Sequence, residues 1–322
     1  MDMKVREGRN INKKIEKGGE NFFKKTIVGP KSDAQRRFDN CLKWEKLHKN
    51  LPKINSPELL DYDKNELDLY FEWLEGGISL EDFLLEKSDC LENKIKIASN
   101  ALAIIHTTNN WIVDVDKEKS LPNRRSLMIA INKYDYASCT GAELELFALL
   151  HQDKKFIESL FDENDENNEN DECLCHGDVR LDQFIWYQNK MYIIDFEELR
   201  IGDGTRDLAG IIGSIYFNCL LKTFSKTTQE TSDEKEIESQ FVERGMAYIE
   251  EMIPIMKSAY EAYSIVKPIN KINLSINIGW FIIERIMSRA KYSFKLSATD
   301  KAILGIGREI ILSPNKFEEI FK

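Results

Sequence analysis

Neither end of the 322-residue sequence carries a secretory signal or a membrane-spanning apolar segment, so a cytoplasmic protein is expected. Bases do not outnumber acids. With 45 Lys and Arg against 55 Asp and Glu, the formal charge of −10 argues against a nucleic-acid surface and leans toward neutral or cationic small partners. Seven of the acids fall in one run from Asp162 to Glu172, so the bulk charge says little about any pocket. The six cysteines, at 41, 90, 139, 173, 175 and 219, lack the spacing of a disulfide framework, which excludes a stapled scaffold and fits a reducing compartment. Cys173-Leu174-Cys175-His176 resembles half a zinc site, but no second ligand pair follows, and buried thiols are the expected reading. Nothing repeats at a fixed period, which removes a solenoid. A convincing glycine-rich phosphate loop is also missing: Glu7-Gly8-Arg9-Asn10 is poor, and Gly18-Gly19-Glu20-Asn21 is the other candidate.

What is present is a 42% hydrophobic chain, long enough for two modest domains or one bilobal unit. Its most informative stretch runs from Cys175 to Glu197. Phe184–Tyr187 and Met191–Ile194 are short apolar, aromatic-rich runs around Gln188-Asn189-Lys190, the pattern of two antiparallel strands and a tight turn. Such a hairpin sets Gln183, just before its first strand, beside Asp195, just after its second, with Asp178 one loop away. Two carboxylates and an amide oxygen then meet at one open end. Hard oxygen ligands suit Mg²⁺, and a few suffice when substrate phosphates complete the shell. That grouping points to phosphoryl transfer, in which a protein chiefly positions groups and neutralises charge. The interval from Asp178 to Gln183 is that of a catalytic loop in which a base Asp precedes a metal-binding Asn by five, with Gln in its place.

His176-Gly177-Asp178, Ile194-Asp195-Phe196-Glu197 and Gly204-Thr205-Arg206-Asp207-Leu208-Ala209, in that order and spacing, resemble the aminoglycoside phosphotransferase and choline kinase family. The resemblance implies an α+β, bilobal, protein-kinase-like fold. Residues 1–75 would form a nucleotide-side lobe of small antiparallel sheet plus one helix, and 76–322 a mostly helical lobe carrying the catalytic loop and the acceptor region. It also implies ATP (or GTP) and Mg²⁺ as cofactors and the hydroxyl of a small molecule as acceptor: an antibiotic, a sugar or an amino alcohol, with a cationic one favoured by the charge. Asp178 would be the base, and Asp195 and Gln183 the metal ligands. Arg180 would brace the γ-phosphate or pair with Asp182 or the acidic run. His176 would stiffen the loop, and Asp207 would accept its backbone amides. Glu197 could reach the metal or the acceptor, or lie at the surface.

In the first lobe, three strands are expected at Met3–Arg6, Ile11–Lys17 and Asn21–Val28. The last carries Lys24 and Lys25, and because strand neighbours face opposite sides only one can enter the cleft. Lys24 is preferred, with Lys25 the alternative. Ser32-Asp33 has the chemistry of a helix cap, and Ala34, Phe38, Cys41, Leu42 and Glu45 recur at helical spacing to about Lys49. Glu45 falls on that apolar stripe and would partner the strand lysine; Asp39 is the alternative. Leu59–Tyr62 and Leu67–Phe71 form a further strand pair. Glu72 to Gly77 then resembles the family's hinge, in which backbone groups near Glu72 and Leu74 bond the adenine edge.

The remainder reads as helical. Ile95–His106 ends in a histidine taken as structural. Residues 120–160 are expected to pack Leu144, Leu146, Phe147, Leu149 and Leu150 inward, and 161–172 to form a solvated loop. Helices are expected over Asp207–Thr223, Asp233–Tyr263, Ile272–Tyr292 and Ala298–Leu312, interrupted by Pro254, Pro268 and Pro314. Two other functions use the same residues: a kinase of Ser or Thr in a peptide, and a pseudokinase that binds nucleotide as a scaffold. The second draws on the thin glycine loop and on Gln183.

Overall fold

The computed structural model describes residues 9–108, 114–115, 124–160, 172–224 and 234–322. The expected strand Met3–Arg6 and all but the last residue of the acidic loop lie outside the described residues. The chain divides into two compact units. The first comprises residues 1–117, 172–207 and 261–267, and the second 118–171, 208–260 and 268–322.

The first unit opens with a hairpin of β1 (Ile11–Lys17) and β2 (Glu20–Thr26). Its turn is Gly18-Gly19, both at positive φ (66° and 85°), which glycine adopts without steric cost. After α1 (Lys31–His48) come β3 (Leu59–Asp63) and β4 (Asp68–Glu72). The four strands form one antiparallel sheet in the order β1-β2-β4-β3. Lys24 stands opposite Tyr70 and Lys25 opposite Leu69, so the alternation of strand side chains sorts these residues onto two faces. One face holds Lys25, Ile27 and Leu69, and α1 covers it: Ile27, Leu69, Ala34, Phe38 and Cys41 form one buried cluster. The other holds Lys24, Thr26, Asp68 and Tyr70.

Helix α1 is not capped by Ser32 or Asp33. It starts at Lys31, after Pro30, with no side-chain cap. Asp33 instead sits in the first turn, where its carboxylate pairs with Arg36 (2.8 Å) and Arg37 (2.9 Å).

The unit continues with β5 (Ile78–Ser79), α2 (Leu80–Leu85) and α3 (Leu91–His106). The Ser79 side chain caps α2 by accepting from Asp82 N. Strands β6 (Glu172–Cys175) and β9 (Arg200–Asp203) form a two-stranded sheet, and β7 (Phe184–Tyr187) and β8 (Lys190–Ile193) form the expected hairpin, with β5 added at its edge.

The second unit is helical. It contains α4 (Arg124–Ile129), α5 (Lys133–Ser138), α6 (Gly141–Gln152) and α7 (Lys154–Leu160). To these it adds most of α8 (Gly204–Phe224) and α9 (Glu234–Ser264), then α10 (Lys271–Ala290), α11 (Ala298–Leu312) and the short α12 (Pro314–Phe317). Leu146 and Leu150 are buried as expected, but Leu149 is exposed because α6 turns that side to solvent. Pro254 lies inside α9 and does not end it. Met252, Met256 and Ala259 are buried along that helix, and their burial offsets the hydrogen bond a proline cannot make. Helices α10 and α11 approach closely at Gly279 and Gly307: a Cβ on Gly279 would lie 2.7 Å from the Gly307 carbonyl oxygen.

Candidate active site

The β7–β8 hairpin pairs Phe184 with Ile193, and its open end is closed by Ile194 N–H donating to Gln183 O at 3.0 Å. Asp195 follows at φ 72° and ψ 50°, a left-handed conformation that turns the chain directly into the 3-10 turn Phe196–Glu198. Such backbone is costly for a non-glycine residue, by roughly 1–3 kcal/mol, and is tolerated where the surroundings fix it.

The loop carrying Asp178 is held from both sides. Asp207 is buried and accepts the backbone amides of His176 (2.6 Å) and Gly177 (3.0 Å). Burial works to raise the Asp207 pKa, but the hydrogen bond and charge of His106 outweigh it and hold the carboxyl below its usual range. His106 lies 3.2 Å from Asp207 through Nε2 and 2.7 Å from the Tyr263 hydroxyl through Nδ1, a structural placement. The buried His176 ring donates through Nε2 to Ile194 O at 2.9 Å and so ties the loop to the hairpin. Gly177 sits at φ +93°, where a Cβ would come within 2.2 Å of Glu198 O; only glycine fits between the loop and the 3-10 turn.

The loop thereby presents Asp178, half exposed at 49% of its side chain. Partial desolvation by the surrounding protein, reinforced by the charge of Asp195, raises its pKa above the usual carboxylate range against the pull of Arg180. The charge of Asp195 thus reaches Asp178. Arg180 donates through Nη1 to Asp178 and through Nε to Asp182 at 3.2 Å. Of its two expected roles the pairing with Asp182 is present, and the contact with Asp178 is one the sequence did not suggest.

The preference for Lys24 is overturned. Lys24 is on the outer face of the sheet, where it pairs with Asp68 at 2.6 Å and lies over the Tyr70 ring. Lys25 is 5% exposed and reaches both Asp195 and Glu197, the latter at 2.7 Å. Burial works to lower its pKa, but the two carboxylates outweigh that and raise it. Burial beside it pushes the Cys41 thiol up to about 12.

Glu45 is not the partner of either lysine. It pairs at 3.8 Å with Lys49, one helical turn on, because the part of α1 that faces Lys25 is Cys41. Glu197 supplies the missing carboxylate. It is 6% exposed, which rules out a surface position, and burial is outweighed by Lys25 and Arg9, so its pKa falls to about 2. The sequence suggested the metal, the acceptor or the surface for Glu197 but not its pairing with Lys25, nor the part that Arg9, Asn10, Arg37 and Asn40 play around it. One signal was available: Glu197-Glu198 stands between the apolar residues Phe196 and Leu199, and all four are buried.

Gln183 is 2% exposed. Its Oε1 accepts the Arg180 N–H at 3.0 Å, and its Nε2 has no hydrogen-bond partner. Part of its capacity as an oxygen ligand is therefore already used. At the hinge, Glu72 N–H donates to Glu58 O (2.9 Å) and Leu74 O accepts from Gly77 N (2.9 Å). These bonds use neither the Glu72 carbonyl nor the Leu74 amide, two of the backbone groups in the stretch expected to meet adenine.

Residues 19–231 match the phosphotransferase enzyme family. That span is well over half of the chain. The chain belongs to this family. Its fold is that of solved phosphotransferases, with a small antiparallel sheet first and a larger helical part after it. The choline kinase LicA from Streptococcus pneumoniae in its AMP complex is 12% identical, with a TM-score of 0.58 over 96% of this chain and 90% of that one. The spectinomycin phosphotransferase APH(9)-Ia, bound to ADP and spectinomycin, is 14% identical, with a TM-score of 0.52 over 100% of this chain and 91% of that one. The comparison with curated proteins returned no match. Membership makes the chain a phosphotransferase acting on hydroxyl groups, and the constellation above is its candidate active site. Among the described residues, no helix is long and apolar enough to cross a membrane.

Proposed function

We propose that this phosphotransferase moves the γ-phosphoryl group of ATP, with Mg²⁺, to a hydroxyl of a small molecule. The observation that carries this is that the buried Lys25 pairs with Asp195 just after the hairpin, while the charge of Asp195 also reaches Asp178 on the loop before it. Asp178 takes the proton of the acceptor hydroxyl. Its raised pKa brings it closer to the working pH, which suits a base acting late in a loose transition state. Arg180, bonded to both Asp178 and Asp182, fixes the direction in which that carboxylate points.

The donor set fits Mg²⁺: it consists of hard oxygens, with the Asp195 side chain 27% exposed and an amide oxygen on the adjoining turn. Asp195 is the principal holder and Gln183 the lesser one, since a neutral amide already engaged by a backbone donor binds such an ion weakly. When bound, the cation neutralises phosphate charge. Lys25 adds a second positive charge for the nucleotide phosphates, and the Glu72 carbonyl and Leu74 amide receive the adenine edge. In this reading residues 1–75 serve the nucleotide, and 76–322 carry the catalytic loop and the acceptor region.

The solved relatives named above support a nucleotide donor and a small acceptor such as an amino alcohol or an aminocyclitol antibiotic. Incubation with labelled ATP against small-molecule and peptide libraries is the test. Labelled small alcohols, and loss of all labelling in a folded Asp195→Ala variant, are the expected results. Labelling confined to peptides, or turnover that survives Asp195→Ala, would refute the proposal.

A further inference from the structure

Kinase-like folds are expected to pair the nucleotide lysine with a carboxylate from the helix that follows its strand. In this chain that carboxylate is absent. The buried residues of α1 are Ala34, Arg37, Phe38, Asn40, Cys41, Trp44 and Leu47, none of them acidic. Lys25 lies against this face with its ammonium removed from water. A buried ammonium needs a carboxylate fixed beside it, because leaving it unpaired away from water is costly. Asp195 cannot fill that role alone, since the proposed function assigns its carboxylate to the metal.

Glu197 has the construction of a dedicated partner. Its Oε2 receives Lys25 at 2.7 Å and Asn10 Nδ2 at 2.6 Å. Its Oε1 receives Arg9 at 2.8 Å and Arg37 at 3.5 Å. One oxygen faces the lysine and the other is held from behind by guanidinium groups, so the carboxylate cannot rotate away. Its backbone is gripped too. Asn40 donates to Glu197 O at 3.0 Å, and Trp44 stacks on Phe196 with ring centroids 3.4 Å apart. Helix α1 thus acts on Lys25 indirectly, by clamping the segment that carries the carboxylate.

We propose that Glu197 is the positioning residue for Lys25 in nucleotide binding, in place of a helix carboxylate. The inference rests on the proposed function. It goes beyond it in tying the nucleotide lysine and the metal aspartate to one short segment, Asp195–Glu198, so that both groups move together.

The test is a double-mutant cycle read as affinity for a non-hydrolysable ATP analogue with Mg²⁺, by calorimetry on the full chain. Lys25→Ala and Glu197→Gln are each expected to weaken binding by about tenfold or more, the usual cost of breaking a buried charge pair. The double variant is expected to bind no more weakly than Lys25→Ala alone, and Glu45→Gln to bind like the parent. A merely structural Glu197 would give additive losses. Parent-like affinity in Glu197→Gln, or additive losses in the double variant, would overturn the inference while leaving the phosphotransfer reading in place. Parent-like affinity in Lys25→Ala would overturn both. Where Glu197→Gln does not fold by circular dichroism, Glu197→Asp, one methylene shorter and still charged, replaces it in the cycle with the same expected non-additivity.

Discussion

At the scale of single residues, the site is a set of titratable groups whose pKa values are pushed in opposite directions. Asp178 is raised and must be ionised to accept a proton. Activity is therefore expected to fall as pH drops through a value above the ordinary aspartate range, giving an acidic limb to the kcat/KM profile. Asp178→Asn should remove that limb and lower kcat roughly 10²- to 10⁴-fold, as measured by steady-state kinetics across pH. Glu197 is depressed to about 2, so its stabilising contribution is complete above the ordinary glutamate value and is lost as pH falls toward 2. Thermal melts of the parent and of Glu197→Gln should differ most near neutrality and converge in acid, where the parent's Glu197 is protonated. At this scale the chemistry was legible, since Asp178, Asp195 and Gln183 follow from spacing. Partnership was not: the contact of Lys25 with Asp195 spans 170 positions, and no local rule reports on such a distance.

At the scale of elements, the hairpin and the loop before it carry the geometry. The β7–β8 turn, Gln188-Asn189, has both residues at positive φ (47° and 58°), the shape for which Asn-Gly is favoured. Replacing the pair by Asn-Gly should raise the urea midpoint, by roughly 1 kcal/mol of stability, without altering transfer. Gly177→Ala should do the reverse. Its Cβ would meet Glu198 O at 2.2 Å from a strained backbone, and a loss of more than about 2 kcal/mol is expected, together with reduced turnover as Asp178 is displaced. The elements themselves were mostly readable: β1 is Ile11–Lys17 as the glycine punctuation implies, and α11 is Ala298–Leu312 as its periodicity implies. The helix start at Lys31 and the continuity of α9 through Pro254 were not readable, because packing of α1 on the sheet and burial of Met252 and Met256 outweigh local capping and proline penalties.

At the scale of the whole molecule, the formal charge of −10 sets the expectation for polyanions. Retention on duplex DNA at physiological salt should be nil, as a gel-shift titration would show. The nucleotide should act as a stabilising ligand instead. At a hundredfold excess over its dissociation constant, a nucleotide with Mg²⁺ should contribute about 2.7 kcal/mol and raise the melting temperature by several degrees. Asp195→Ala should lose most of that shift. A melt unchanged by nucleotide in the parent chain would count against the site as drawn.

The amino-acid sequence alone pointed to the family, to strands β1–β4 and most of the helices, and to the hairpin between Gln183 and Asp195. Those features rest on local periodicity, turn chemistry and short spacings, which survive without knowledge of the rest of the chain. Tertiary structure decided which of two adjacent lysines is buried against Asp195 and which glutamate pairs with it. Strand alternation guarantees that Lys24 and Lys25 part company, but their sense is fixed by the face that α1 covers. The carboxylate on Lys25 is set by the fold, which brings the buried Glu197 against it and leaves Glu45 paired with Lys49.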